Sequence, residues 1–95
     1  MGYTLSRKAE EDIIAIFLHG VEQFGIKQAE CYHDLLESTF GFLAEHPAAA
    51  RERPEISPPV RVHPIKSHLI FYTIDEYEDI FIIRIRHSRE DWQDE

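Results

Sequence analysis

Apolar side chains recur at spacings of three and four along Ala9, Ile13, Ile16, Phe17 and Gly20, with Ile14, Leu18 and Val21 widening the stripe. That period predicts an amphipathic helix with a broad buried face. Ser6 offers a hydroxyl N-cap for a helix beginning at Arg7, although Ala9 holds the third helical position where a capping-box acid would sit. Phe24-Gly25 closes the helix, since glycine takes the left-handed conformation past a helix end without steric cost. A second periodic segment starts almost at once, with Ala29, Tyr32, Leu36, Phe40 and Leu43 flanked by Leu35 and Ala44, and stops before Pro47. So short a connection predicts an antiparallel helical hairpin. The other side of the second helix carries Glu30, Asp34, Glu37 and Glu45 and reads as a solvated face.

After a proline-rich loop over residues 47–59 the period changes from 3.6 to two. Val60–Ile65, Leu69–Ile74 and Ile80–Ile85 read as strands, joined by a tight Lys66-Ser67 turn and the acidic loop 75–79. Short connections make them an antiparallel meander, and Tyr3–Leu5 adds a short strand ahead of the helices. Pro64 has no N–H to give a ladder and makes the first meander strand an edge or a bulged end. In the last strand strict alternation puts Phe81, Ile83 and Ile85 under the hairpin and Ile80, Ile82, Arg84 and Arg86 on the other face. The expected fold is α+β in the order β-α-α-β-β-β, an antiparallel helical hairpin on one face of a mainly antiparallel sheet, as a single domain over residues 1–95.

Composition narrows the function classes. The chain is 43% hydrophobic with a net charge of -8. An acidic field repels backbone phosphates, so direct DNA binding by this chain alone is not expected. No apolar run approaches the ~20 residues of a membrane helix and no signal arrangement opens the chain, so a soluble, cytoplasmic protein is expected. Cys31, the single cysteine, sits within the second helical pattern and reads as a reduced core or near-core thiol. The histidines show no metal-pairing spacing, the four glycines build no phosphate loop, and residues 75–79 lack the calcium-loop spacing, so no metal and no cofactor are expected.

The charge is unevenly placed. Residues 1–50 carry three basic and eight acidic side chains, whereas residues 51–72 carry Arg51, Arg53, Arg61 and Lys66 against Glu52 and Glu55. The C-terminal strands interleave His68, Arg84, Arg86, His87 and Arg89 with Ile and Phe, which suits a surface covered by one particular partner.

Six pieces now stand in order: Tyr3-x-Leu5-Ser6-x-x-Ala9-x-x-Asp12-Ile13; Phe24-Gly25-x-x-Gln28-Ala29-x-x-Tyr32; Leu43-Ala44-x-x-Pro47; Arg51-x-Arg53; His68-x-Ile70-Phe71-Tyr72; and Ile83-Arg84-Ile85-x-His87-x-Arg89-x-Asp91. Together they resemble the ParE toxins of the RelE/ParE superfamily across essentially the whole chain. Two positions depart from the pattern: Ala50 stands where a glycine is common and Arg86 where an apolar residue is usual. The resemblance implies the toxin of a type II toxin–antitoxin pair that inhibits DNA gyrase by direct protein binding. It also implies a hetero-oligomer with a ParD-like antitoxin, a segment of which folds onto the toxin. Phe17, Leu18, Val21, Leu36 and Phe40 are then candidates for the antitoxin groove. Arg61, Lys66, His68, Arg84, Arg86, His87, Arg89 and Trp92 are candidates for the target surface. The superfamily also contains RelE-like ribosome-dependent messenger RNA nucleases, for which Tyr72, Arg84, His87 and Arg89 would be the chemical groups. A relative that binds an antitoxin without toxicity is a third reading.

Overall fold

Ser6 begins the first helix as its hydroxyl predicts: its Oγ accepts from the Ala9 N–H at 2.9 Å, and α1 runs Arg7–Phe24. The structure, a computed structural model, describes residues 2–55 and 59–89. Gly25, at φ 93°, ends α1 and opens α2 (Ile26–Glu45), so one residue turns the hairpin. The helices approach closely where Gly20 faces Ala29; a Cβ on Gly20 would lie 3.4 Å from the Ala29 Cβ.

The strands are β1 (Tyr3–Leu5), β2 (Glu52–Arg53), β3 (Val60–Ile65), β4 (His68–Ile74) and β5 (Ile80–His87), in the spatial order β1-β5-β4-β3-β2. Only β1 with β5 is parallel, so the sheet is mixed and mainly antiparallel, with two helices packed on it. The two-residue β2, inside the proline-rich loop, is a strand that the sequence pattern does not announce. It pairs with Val60 and Arg61, so β3 is at the sheet edge by Pro64, where the proline costs no ladder bond.

The core lies between the hairpin and one sheet face, where Leu36, Phe40, Leu43, Ile70, Tyr72 and Ile82 are almost wholly buried. A smaller cluster, Val60, Val62 and Phe71 with Leu69 and Ile83 against it, sits on the opposite face. The face assignment of β5 differs from strict alternation. Phe71 pairs with Arg84 but Tyr72 with Ile82, which leaves Ile83 as an extra residue in a β-bulge. Ile80 and Ile82 therefore join Ile85 under the helices, and Phe81 and Ile83 do not.

α1 also seals the sheet edge beyond β1. The Ser6 N–H donates to Ile82 O at 2.9 Å, the Ser6 hydroxyl to Ile83 O at 2.6 Å, and the Ile85 N–H to the Asp12 carboxylate at 3.0 Å. Two side chains of the helix thus replace strand partners after Leu5 ends. Among the described residues, no helix is long and apolar enough to cross a membrane.

Candidate functional site

α1 carries a wide apolar stripe, yet Ala9 is its one buried residue. Ile14 and Leu18 are 59% and 58% exposed and Phe24 66%. An 18-residue helix with Ile14, Leu18 and Phe24 open to water is incomplete as a core element. Its Ile16, Phe17 and Phe24, with Ala29 and Leu36 of α2, wall a groove of about 600 Å³ that ends on the Lys66-Ser67 turn, His68 and His87.

That end of the groove is polar and internally bonded. The Tyr32 hydroxyl reaches across from α2 to His68 Nδ1 at 2.6 Å and to Ile65 O at 3.2 Å. Tyr32 and His68 rings pack at 5.5 Å between centroids, and His68 meets His87 edge-on at 5.3 Å. Burial pushes the Tyr32 phenol above its usual range, partly offset by the Ser67 backbone hydrogen bond. The Arg89 N–H donates to His87 Nδ1 at 3.1 Å, and the Ser88 N–H to Ser67 O at 2.8 Å. The β3–β4 turn and the end of β5 therefore form one platform at the mouth of the groove.

The structure sorts the sequence-predicted residues. Phe17 and Val21 are half-buried and Leu18 is exposed, on the open helix. Phe40 is 1% exposed and lies in the core, and Leu36, also 1% exposed, is a core residue that reaches the groove wall, because the stripe of α2 faces the sheet. Lys66 and Arg89 are exposed at the platform, and Arg86, His68 and His87 are half-buried there. Arg61 turns inward, its Nη1 donating to Ala50 O at 2.6 Å. Arg84 does the same: its Nε and Nη2 donate to the two Asp12 oxygens at 2.8 and 3.2 Å, which makes it a clamp between sheet and helix and not an outward cation. Tyr72 is fully buried, donating to Pro47 O at 2.7 Å and accepting from the Ala50 N–H at 3.4 Å. Its phenol too is pushed up, by burial first, against the Ala50 backbone and the Arg61 charge. Trp92 lies outside the described residues. Cys31 is exposed on α2, so the near-core thiol expected from the helical pattern is corrected. Asp12 was missed as a working residue because its partner is 72 positions away. No group of three or more metal-ligating side chains assembles among the described residues.

A family model described as ParE toxin of type II toxin-antitoxin system, parDE, matches residues 3–92. The chain belongs to the ParE toxin family. It is 31% identical over 86 residues to Toxin ParE1 of Caulobacter vibrioides, covering 90% of this chain and 88% of the relative. It is 30% identical over 89 residues to Toxin ParE1 of Mycobacterium tuberculosis, covering 94% and 91%. A solved structure titled as a chromosomal ParDE TA system from P. aeruginosa shares the fold, with a TM-score of 0.76 over 92% of this chain and 95% of that one at 24% identity. This ParE-family chain is thus the toxin of a type II toxin–antitoxin system.

Proposed function

We propose that this ParE-family toxin inhibits DNA gyrase by direct protein contact through the platform at Lys66, Arg86 and Arg89, and that an antitoxin segment lying in the α1–α2 groove silences it. The observation that carries the reading is the groove itself, whose α1 wall of Ile13, Ile16, Phe17 and Phe24 is apolar, with Phe24 66% exposed. An apolar segment lying there would remove that surface from solvent, at roughly 25 cal/mol per Å² of apolar area covered. Because the groove ends on Lys66, His68 and His87, its occupant also covers the edge of the target platform. Neutralisation then works by occlusion.

The nuclease reading has weaker support. Cleavage of RNA needs cations and proton-moving groups converging on one phosphate. Tyr72 is buried against Pro47, Arg84 is committed to Asp12 and Arg61 to Ala50, while His87 lies at the far end of the sheet from Tyr72. The set predicted from residue types does not converge.

The test is a supercoiling assay with purified gyrase beside a translating-ribosome cleavage assay. Inhibition by the unaltered chain, weakened about tenfold or more (~1.4 kcal/mol) by combined Lys66→Ala, Arg86→Ala and Arg89→Ala in a chain that still melts normally, supports the proposal. Unimpaired supercoiling overturns it. Codon-linked RNA cuts would favour the nuclease, and silence in both assays a member that binds antitoxin without toxicity.

A further inference from the structure

Ala50 is held at all three of its groups. Its methyl belongs to the core cluster, its N–H donates to the Tyr72 hydroxyl at 3.4 Å, and its carbonyl accepts from Arg61 Nη1 at 2.6 Å. The Tyr72 hydroxyl in turn donates to Pro47 O at 2.7 Å, so a wholly buried side chain of β4 pins both ends of the short loop 47–50. Ala50 is extended, at φ -102° and ψ 149°, where alanine fits as well as glycine. The next residue, Arg51, is exposed and has no ion pair among the described residues, whereas Arg53 reaches Glu55 at 3.6 Å. Hydrogen bonds and a buried methyl that fix the residue before an exposed cation are what a rigid scaffold needs to present a contact loop. Building on the protein-contact reading above, we infer that Arg51 is a recognition residue of the toxin, aimed by Tyr72 and Arg61 as positioning residues, and that it takes a carboxylate on the attacked protein.

A guanidinium meets a carboxylate through two parallel N–H···O bonds, and a backbone fixed beforehand lowers the entropy lost when it does so. The surroundings favour one carboxylate over a run of phosphates. Glu52 and Glu55 are exposed close by in the chain, on a body of net charge -8, so a polyphosphate backbone would meet like charge there. The position also extends the target platform. Glu52 pairs with Arg61, and β3 runs from that pair to the Lys66 turn, a distance of about 17 Å at ~3.3 Å per residue. Arg51 and Lys66 therefore stand toward two ends of the same sheet edge, within the span of an interface that buries about 800 Å² on each partner.

Growth arrest on induced expression of the full chain tests this, with antitoxin affinity by titration calorimetry and thermal melting as controls. Arg51→Ala should raise the toxin level needed to halt growth about tenfold, with antitoxin affinity within about twofold of the parent and an unchanged melt. Arg51→Lys, which keeps the charge without the planar fork, should recover part of the loss. Tyr72→Phe should raise the level too, yet add nothing in the Arg51→Ala chain, because a hydroxyl that acts by aiming Arg51 then has nothing to aim. Full toxicity of Arg51→Ala, or an unaltered chain that never arrests growth, overturns the inference. Equal losses from Tyr72→Phe in both backgrounds overturn the positioning role and make that hydroxyl a bond of stability alone. Arg51-dependent binding to plain duplex DNA would hand the residue to a phosphate and overturn the carboxylate assignment. Arg51-dependent growth arrest without inhibition of purified gyrase would support the inference with a different protein as target, and only the gyrase reading would fall.

Discussion

Replacing Asp12 tests whether α1 is fastened to the sheet as described. Its carboxylate accepts three hydrogen bonds, from Arg84 Nε at 2.8 Å, Arg84 Nη2 at 3.2 Å and the Ile85 N–H at 3.0 Å. Hydrogen bonds to a charged group contribute about 1.5–3 kcal/mol each. These three share one carboxylate, and the Asp12 and Arg84 side chains keep 17% and 26% of their exposure, so water recovers part of the loss. Asp12→Ala should cost about 2–3 kcal/mol, since it also leaves a half-buried guanidinium and an edge N–H unpaired. In a domain of this size each kcal/mol moves the melting temperature about 4–8 °C, so a fall of roughly 10–20 °C is expected in thermal unfolding. Asp12→Asn, which keeps one acceptor, should lose about half as much. A double-mutant cycle with Arg84→Met should return a coupling of about 1–2 kcal/mol. Melting within about 3 °C of the parent, or no coupling, would show that the clamp is not what holds α1 in place.

The remaining predictions divide core from surface. Leu36→Ala or Phe40→Ala should each cost about 3–5 kcal/mol in denaturant unfolding, whereas Phe24→Ala, at an exposed groove residue, should cost under about 0.5 kcal/mol and instead weaken antitoxin binding in titration calorimetry. Equal destabilisation at the three sites would mean that the α1 stripe is core after all. Tyr32 and Tyr72 both have phenol pKa values raised by burial, so their contribution is intact below the ordinary phenol value of about 10 and is lost as pH rises through the higher folded values. Stability should therefore fall on the alkaline side, and Tyr32→Phe and Tyr72→Phe should each flatten that limb; an unchanged slope would count against the burial.

Local signals placed most of this fold. Ser6, Gly25 and Pro47 mark the ends of both helices because caps and breakers act through the residue itself and its nearest amides. Strict alternation places Ile85 on its observed face but inverts Ile80 to Ile83, which lie on the other side of the bulge. A run of Ile and Phe on both sides of the bulge reads the same in either register, and the extra residue shows only when Tyr72 is seen opposite Ile82. The two residues of β2 carry no periodicity of their own and pair only because Arg61 and Val60 pass beside them. For the site, the stripe of α2 gives no sign of which side the sheet covers, so Phe40, expected at the groove, lies in the core, and Leu36 serves both. Arg84 was read as outward because Asp12 stands 72 positions away and nothing in either local sequence links them. The convergence of His19, His33, Lys66 and His87 on one groove is likewise a property of the assembled fold, since they come from four separate elements or turns.

The account rests on α1 being a helix finished by its antitoxin, and methyl NMR of the toxin titrated with antitoxin addresses that directly. The Ile13 and Ile16 methyl signals, on the α1 wall of the groove, should shift and become shielded from a soluble paramagnetic probe, while Val60 and Val62 on the opposite sheet face stay unchanged. Shielding confined to the Val60 and Val62 face, with Ile13 and Ile16 unaffected in the complex, would contradict it.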